Sequence, residues 1–307
     1  MFTPLYIGNK GPQVVLLQQY LSTALNKEIK PDGNFGPKTA SAVWEFQQKN
    51  NINATGVVDT CTWSKLTQED GNDTTTDLSE TYKVSTPLKI EKFPLDVDEY
   101  FKGPTNKNYI FLHHTAGWDN PYETVKSWNT DNRGRIGTQF VIGGKNIKTG
   151  DSTYDGTTLE TFSDSAHASH LGKTGSSTMH KTSIGIELCN FGWIDSRTGK
   201  TYVGTTPLTT EIITLNTPFR GFKTWHRYTD TQLDALRQLL IEVGNRNNID
   251  IRTGLPKLIR DKGPAAFEFN YDAYYGKVYG IWSHSNVRKD KFDVSPQPNL
   301  LDMLISL

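Results

Sequence analysis

Residues 109–117 read Tyr-Ile-Phe-Leu-His-His-Thr-Ala-Gly, an apolar run that ends in two imidazoles. A continuous apolar run of this length predicts a strand buried on both faces. Successive side chains of a strand point to opposite faces, so only one histidine of the pair faces a crevice at the strand end. We assign His113 to the crevice and His114 to the other face or to a supporting position. A packed or surface histidine pair is the alternative, and available partners elsewhere weigh against it.

Those partners lie near the carboxyl end of the chain. His284 follows another predicted strand, 279–283, and a polar segment leads from it to Asp293. That segment can loop back and bring both side chains to one ion. With His113 they supply three protein ligands and an open fourth position, the ligand set of a catalytic zinc. A helix cap near Ser295 is the alternative role for Asp293.

A carboxylate also interrupts a third apolar stretch. Residues 182–188 read Thr-Ser-Ile-Gly-Ile-Glu-Leu and predict a buried strand, in which Glu187 is costly unless it is used or paired. Amide hydrolysis needs a base for water, a proton donor for the leaving nitrogen and a positive partner for the oxyanion. Glu187 is the candidate general base and acid. Lys291, two residues before Asp293, is the candidate oxyanion partner.

The stretch 87–307 as a whole predicts a mixed α/β domain. The expected strands are 109–113, 138–143 and 183–189, and the expected helices are 121–129, 230–245 and a short C-terminal helix at 300–304. The segment 194–228 is rich in loops and aromatic residues. That length of irregular structure exceeds what a connection needs, so we expect it to contact substrate, with Trp225 as its candidate.

The stretch 1–67 predicts a small three-helix domain. Pro12 and Pro37 each stand where a helix begins, a position that proline favours. Residues 32–39 read Asp-Gly-Asn-Phe-Gly-Pro-Lys-Thr, and a weaker echo of this string begins at Gly56. Residues 68–86 are polar and predict a flexible linker between the two domains.

Composition excludes several classes of protein. The chain has 307 residues with 33 Lys+Arg and 33 Asp+Glu, so no global field attracts nucleic acid. No apolar stretch is long enough to insert into a membrane, and no Sec signal is visible, so we expect synthesis in the cytoplasm. Cys61 and Cys189 are the only thiols; we expect both to be free, and they are too few for a structural zinc site.

Three motifs, in this order along the chain, resemble the zinc N-acetylmuramoyl-L-alanine amidases of the type-2 class. They are His-His-Thr-Ala-Gly at 113–117, Ser-Ile-Gly-Ile-Glu-Leu at 183–188 and Lys-Phe-Asp-Val-Ser-Pro-Gln-Pro at 291–298. The class includes phage endolysins, wall-recycling amidases and animal peptidoglycan-recognition proteins, and the resemblance covers most of 88–305. It implies a mixed β-sheet flanked by helices. It also implies one Zn²⁺ per chain, held in a groove by His113, His284 and Asp293.

The resemblance assigns roles to further residues. It implies that Glu187 and Lys291 are catalytic. Some members use a tyrosine on the second strand instead of the glutamate, but Thr138 stands at that position here, which adds weight to Glu187. Residues 166–168 resemble the segment that lines the family's groove. The expected substrate contacts are His114, Thr115, His167 and Trp225, whereas surface or loop positions are expected for His170, His180 and His226.

The doubled pattern in 1–67 resembles the three-helix peptidoglycan-binding module of many wall hydrolases. Together the resemblances imply a hydrolase that binds the glycan strand and stem peptide of peptidoglycan. It would cut the amide bond between N-acetylmuramic acid and L-alanine. We expect a phage endolysin that reaches the wall after holin-type or other delivery. The alternatives are a muropeptide-recycling amidase, a non-catalytic peptidoglycan receptor and a structural component of a phage particle; the oligomeric state stays open.

Overall fold

The computed structural model describes residues 5–50, 52, 54–67, 87–103, 105–172 and 177–307. Contacts divide the chain into a smaller unit, Met1–Thr86 with Lys257–Ala266, and a larger unit, Pro87–Pro256 with Phe267–Ile305. The grouping of 257–266 with the smaller unit was not expected from the sequence, and the predicted linker lies outside the described residues. Within the described part, no helix is both long and apolar enough to cross a membrane.

The described N-terminal part of the smaller unit contains three helices, as the sequence predicts. They are α1 (Pro12–Leu25), α2 (Pro37–Lys49) and α3 (Thr60–Thr67). Prolines begin α1 and α2, where the missing amide hydrogen has no helical partner to lose. The apolar faces of the helices meet in one core that includes Leu17, Val43 and Trp63.

Two buried glutamines explain the doubled pattern of this unit. The side-chain oxygen of Gln18 accepts the backbone N–H of Gly33 at 2.9 Å, and that of Gln47 accepts the backbone N–H of Gly56 at 2.8 Å. Both glycines have φ near +70°, a conformation that disfavours other residues. Each glutamine therefore holds the glycine turn that leads into the following helix, and the sequence echo corresponds to two copies of one structural device.

A six-stranded mixed sheet forms the centre of the larger unit. Its strands are β1 (Ile90–Lys92), β3 (Tyr109–His114), β4 (Phe140–Ile142), β5 (Thr158–Glu160), β7 (Ser183–Leu188) and β11 (Gly280–Ser283). Their order is β1-β5-β4-β7-β3-β11; β4 and β5 are antiparallel, and every other neighbouring pair is parallel. A separate two-stranded pair joins β2 (Phe101–Lys102) to β6 (Ala166–His167). Strand β3 is buried along its whole length, as predicted.

Helices cover both faces of the sheet. The described residues of the larger unit form α4 (Pro121–Thr130), α5 (Ser177–Lys181), α6 (Asp230–Asn247), α8 (Tyr271–Tyr274), α9 (His284–Val287) and α10 (Pro298–Ile305). A further helix, α7 (Leu255–Lys262), has most of its residues in the stretch that groups with the smaller unit. Trp128 of α4 packs in one core with Val141 of β4. On the opposite face, Arg246 of α6 lies 5.6 Å from the ring of Phe140. The mixed α/β class with flanking helices is thus confirmed.

The structure corrects the expectation for 194–228. A three-stranded antiparallel sheet forms here from β8 (Trp193–Ile194), β9 (Ile212–Phe219) and β10 (Phe222–His226). Phe219 pairs with Phe222 across a two-residue turn, in which Arg220 has φ +50° and Gly221 has φ +86°. Two positive φ values suit the right-handed twist of a hairpin. Arg-Gly is a less familiar signal for this turn than Asn-Gly, so the hairpin was missed.

Candidate functional site

Three parallel strands bring the predicted site residues to one edge of the sheet. In the register of β3 and β7, His113 lies beside Glu187. In the register of β3 and β11, Ser283 lies beside Leu112, which puts His284 next to His113 at the strand ends. Side chains at the carboxyl ends of neighbouring parallel strands meet in one crevice.

His113, His284 and Asp293 converge on one point. The Nδ1 atoms of the two histidines are 3.1 Å apart, and Oδ2 of Asp293 lies 3.2 Å from Nδ1 of His113 and 2.9 Å from Nδ1 of His284. All three side chains are buried. Ligands about 2.0–2.1 Å from a tetrahedral zinc lie about 3.3 Å from one another, so this donor set fits such an ion.

The loop after β11 brings Asp293 back to the histidines. Asn286 and Ser283 form a capping box at the start of α9, which fixes the turn that carries His284. The backbone N–H of Ser285 donates to the carbonyl of Asp293 at 2.9 Å and closes the loop. Helix α10 begins at Pro298, and the Asp293 carboxylate points to two imidazoles. This geometry does not support the alternative role as a helix cap.

Burial sets the charge of these groups. Desolvation lowers the pKa of His113 to about 4, and His284 nearby adds to the effect. A neutral imidazole is the form that binds a metal ion. Desolvation also raises the pKa of Glu187 to about 8; the Asp293 carboxylate adds to this shift and Lys291 opposes it. A carboxyl that titrates near neutral pH is suited to both accepting and donating a proton.

A groove of about 560 Å³ contains the convergence point. The predicted metal ligands, Glu187 and Lys291 all line it. Six aromatic side chains contribute to its other walls: Trp118, Trp128, Phe191, Trp193, Tyr202 and Phe292. A cleft that combines aromatic walls with convergent polar groups is typical of an active site.

The predicted substrate contacts divide into two pairs. His114 and Thr115 line the groove. His114 also faces the other side of β3 from His113, with its Nδ1 3.1 Å from the hydroxyl of Tyr228. The hydroxyl oxygen of Thr115 accepts a hydrogen bond from the backbone N–H of Asn190 at 3.0 Å. This bond connects the segments that follow β3 and β7.

The other pair does not reach the groove. Trp225 is 0% exposed, and its indole N–H donates to the carbonyl of Phe222. A side chain with no exposed surface packs the hairpin rather than contacting substrate. His167 lies on β6, where its ring stacks on Phe101 at 5.0 Å, and it is not part of the groove lining.

The surface or loop positions expected for His180 and His226 are wrong, whereas His170 does lie in a loop, between β6 and α5. His180 and His226 are buried. His170 contacts one of the three converging side chains, with its Nδ1 3.0 Å from Nε2 of His113. No sequence period connects it to the motifs, so only the folded path of the chain reveals this contact. Thr138, at the position of the family's tyrosine, lines the groove.

Two family models match the chain. The model described as N-acetylmuramoyl-L-alanine amidase matches residues 103–293, a stretch that contains the three converging side chains and Glu187. The model described as a putative peptidoglycan binding domain matches residues 10–66. No curated protein matches the sequence.

Several solved structures are similar to parts of the chain. A Burkholderia AP3 phage endolysin is 31% identical over 22% of this chain and 25% of that chain, with a TM-score of 0.21. The amidase AmiD from E. coli, solved with anhydro-N-acetylmuramic acid-L-Ala-D-gamma-Glu-L-Lys, is 20% identical over 49% of this chain and 47% of that chain, with a TM-score of 0.31. The catalytic domain of XlyA is 11% identical over 67% and 90%, with a TM-score of 0.38. This chain therefore spans only a quarter of the endolysin's length. The assignment to a family rests on the two family models.

Proposed function

Because the chain belongs to the N-acetylmuramoyl-L-alanine amidase family, we propose that it is a zinc-dependent peptidoglycan hydrolase. Its substrate bond is the amide between the lactyl group of N-acetylmuramic acid and L-alanine of the stem peptide. The observation that carries the proposal is the convergence of His113, His284 and Asp293 beside Glu187 in one groove within the matched region.

The chain's own residues divide the work of hydrolysis. His113, His284 and Asp293 would hold a zinc ion, which would supply Lewis acidity for the scissile carbonyl and the attacking water. Glu187 accepts a proton from the water and returns it to the leaving nitrogen. The Lys291 ammonium stabilises the charge that develops on the carbonyl oxygen.

The aromatic walls have a separate role in this proposal. Trp128, Trp193 and Tyr202 line the groove and present flat apolar surface to the substrate. Partial exclusion of water by these rings strengthens the electrostatic effect of the charged groups beside them. The stem peptide and the sugar both have apolar faces that such rings can cover.

The smaller unit is proposed to hold the enzyme on its insoluble substrate. It matches the peptidoglycan-binding model over residues 10–66. A wall-binding unit linked to a hydrolase raises the effective concentration of scissile bonds near the groove. The combination supports a role as an endolysin, made in the cytoplasm and acting on the wall after release. The complete ligand set in this chain favours an enzyme over a non-catalytic receptor.

Deleting residues 1–67 should separate binding from chemistry. We expect the shortened protein to sediment less with insoluble peptidoglycan and to lose activity on it. Cleavage of a soluble N-acetylmuramoyl peptide should persist, because the groove is built from the larger unit. Mass spectrometry of that reaction should find free stem peptide and an intact sugar. Unchanged sedimentation would show that the smaller unit does not bind the wall, and sugar cleavage would contradict the proposed amidase chemistry.

A further inference from the structure

One ring nitrogen of His113 faces His284 and Asp293, and the other begins a chain of hydrogen bonds that leads away from them. Its Nε2 lies 3.0 Å from Nδ1 of His170. Nε2 of His170 lies 2.8 Å from the hydroxyl of Ser183 at the start of β7. That hydroxyl donates to the backbone carbonyl of Met179 at 2.6 Å. The chain thus runs from the cluster to a backbone group of α5.

The backbone carbonyl of Met179, at the end of this chain of hydrogen bonds, determines which atom of each group carries the proton. A carbonyl only accepts, so the Ser183 hydroxyl donates to Met179 and its lone pair receives Nε2–H of His170. In a neutral His170, Nδ1 is then an acceptor, and it receives Nε2–H of His113. Nδ1 of a neutral His113 is then left with its lone pair for an ion at the point where His113, His284 and Asp293 converge. This is the tautomer that a metal ion requires at that atom.

The fold makes room for this arrangement. His113 and Phe111 lie on one face of β3, beside Glu187 and Gly185 of β7. A Cβ atom at Gly185 would lie 3.1 Å from Cγ and Nδ1 of the His170 ring. The same Cβ atom would lie 2.8 Å from Cγ2 of Thr138, so a larger residue would crowd both side chains, and the glycine of the Ser-Ile-Gly-Ile-Glu motif leaves space for His170 and Thr138.

His180 holds the backbone that carries His170. Its Nδ1 accepts the backbone N–H of His170 at 3.1 Å, and its Nε2 lies 3.2 Å from the carbonyl of Gly172. The ring thus bridges the loop on both sides of Leu171. The position of His170 is consequently fixed by its own ring contacts and by a second buried histidine.

We propose that His170 is a positioning residue that, through Ser183, fixes the tautomer and orientation of His113 for metal binding. The inference rests on the proposed function, since it assigns the cluster to a metal ion. Partners of this kind typically contribute 10–100-fold to metal affinity. The opposite tautomer of His170 would present a hydrogen to His113 and drive the His113 proton onto Nδ1, where it would block the ion.

Zinc affinity provides the first test, measured on the full chain by competition with a chromophoric chelator at fixed pH. His170→Leu removes the acceptor and should raise the zinc Kd about 10–100-fold. His170→Asn can return an acceptor oxygen near the position of Nδ1 and should recover much of the loss. Ser183→Ala should give an intermediate Kd, and His167→Leu, the same exchange outside the groove, should leave it unchanged. A folded His170→Leu variant with wild-type affinity would overturn the proposal.

The second test measures the tautomers of the histidine side chains in the wild-type protein, so it requires no variant. Imidazole ¹⁵N NMR of the zinc-loaded chain, labelled at its seven histidines, should find His113 and His170 each protonated at Nε2. A His170 proton on Nδ1, facing His113, would contradict the proposed role of His170. If the wild type bound no zinc, the proposed function would fail, whereas zinc binding with His170 protonated at Nδ1 would contradict only the role of His170. If the wild type binds zinc and none of the variants changes the zinc Kd, the role proposed for His170 is wrong and the proposed function is unaffected.

Discussion

Replacing Glu187 with glutamine should lower kcat by about 10²–10⁴-fold, the usual contribution of a general base, without loss of bound zinc. Glutamine keeps the size of the side chain but cannot take up or release the proton. The metal should remain because Glu187 is not one of the three converging side chains. The unfolding temperature should not fall, because burial already disfavours the ionised carboxylate in the folded protein.

A matched control separates this effect from a general loss of charge. Glu160 lies at the end of β5, pairs with Arg246 at 3.4 Å and is not part of the groove lining. Glu160→Gln should therefore keep kcat near the wild-type value. Turnover and zinc content, measured on the same preparations of both variants, show whether the loss of activity is specific to Glu187. Near-normal turnover by Glu187→Gln would move the base to another residue.

Replacing His284 with alanine should abolish zinc binding and activity together. The substitution removes one of three protein ligands, so the zinc affinity should fall by more than the roughly 10–100-fold typical of outer partners. It also removes the imidazole nitrogen of His284, which lies 2.9 Å from Oδ2 of Asp293 in the intact site. Metal content by atomic emission and turnover on soluble substrate are the two measurements.

The control for this variant is another histidine. His167→Ala removes an imidazole that stacks on Phe101 outside the groove, so zinc content should be unchanged. Full zinc occupancy in His284→Ala would show that the ligand assignment is wrong. Loss of zinc with retained turnover would show that the reaction does not depend on the metal.

The motifs at strand ends could be predicted because their information is local. Alternation in β3 sends His113 and His114 to opposite faces, and the structure has them so. The carboxyl ends of parallel strands meet at one edge, which brings Glu187 beside His113 without any knowledge of the loops. Strand parity and apolar content thus predict the centre of the site.

The surroundings of the site could not be predicted in the same way. His170 reaches His113 through a loop with no periodic pattern, and its place depends on a space left by Gly185. Trp225 was expected at the groove because aromatic residues cluster near it in sequence. The hairpin that buries it depends on a turn at Arg220 and Gly221, which sets the register of two strands. Long-range packing, rather than composition, decides which aromatic rings line the groove.

The most direct test of the central claim is digestion of purified insoluble peptidoglycan by the full chain, with and without a chelator and with zinc restored. New amino termini and new reducing sugar ends should be counted in the same samples. An amidase that uses the His113, His284 and Asp293 cluster releases alanine amino termini without reducing ends, stops with chelator and recovers with zinc. Reducing ends, or no release by a zinc-loaded protein that binds the wall, would contradict the account.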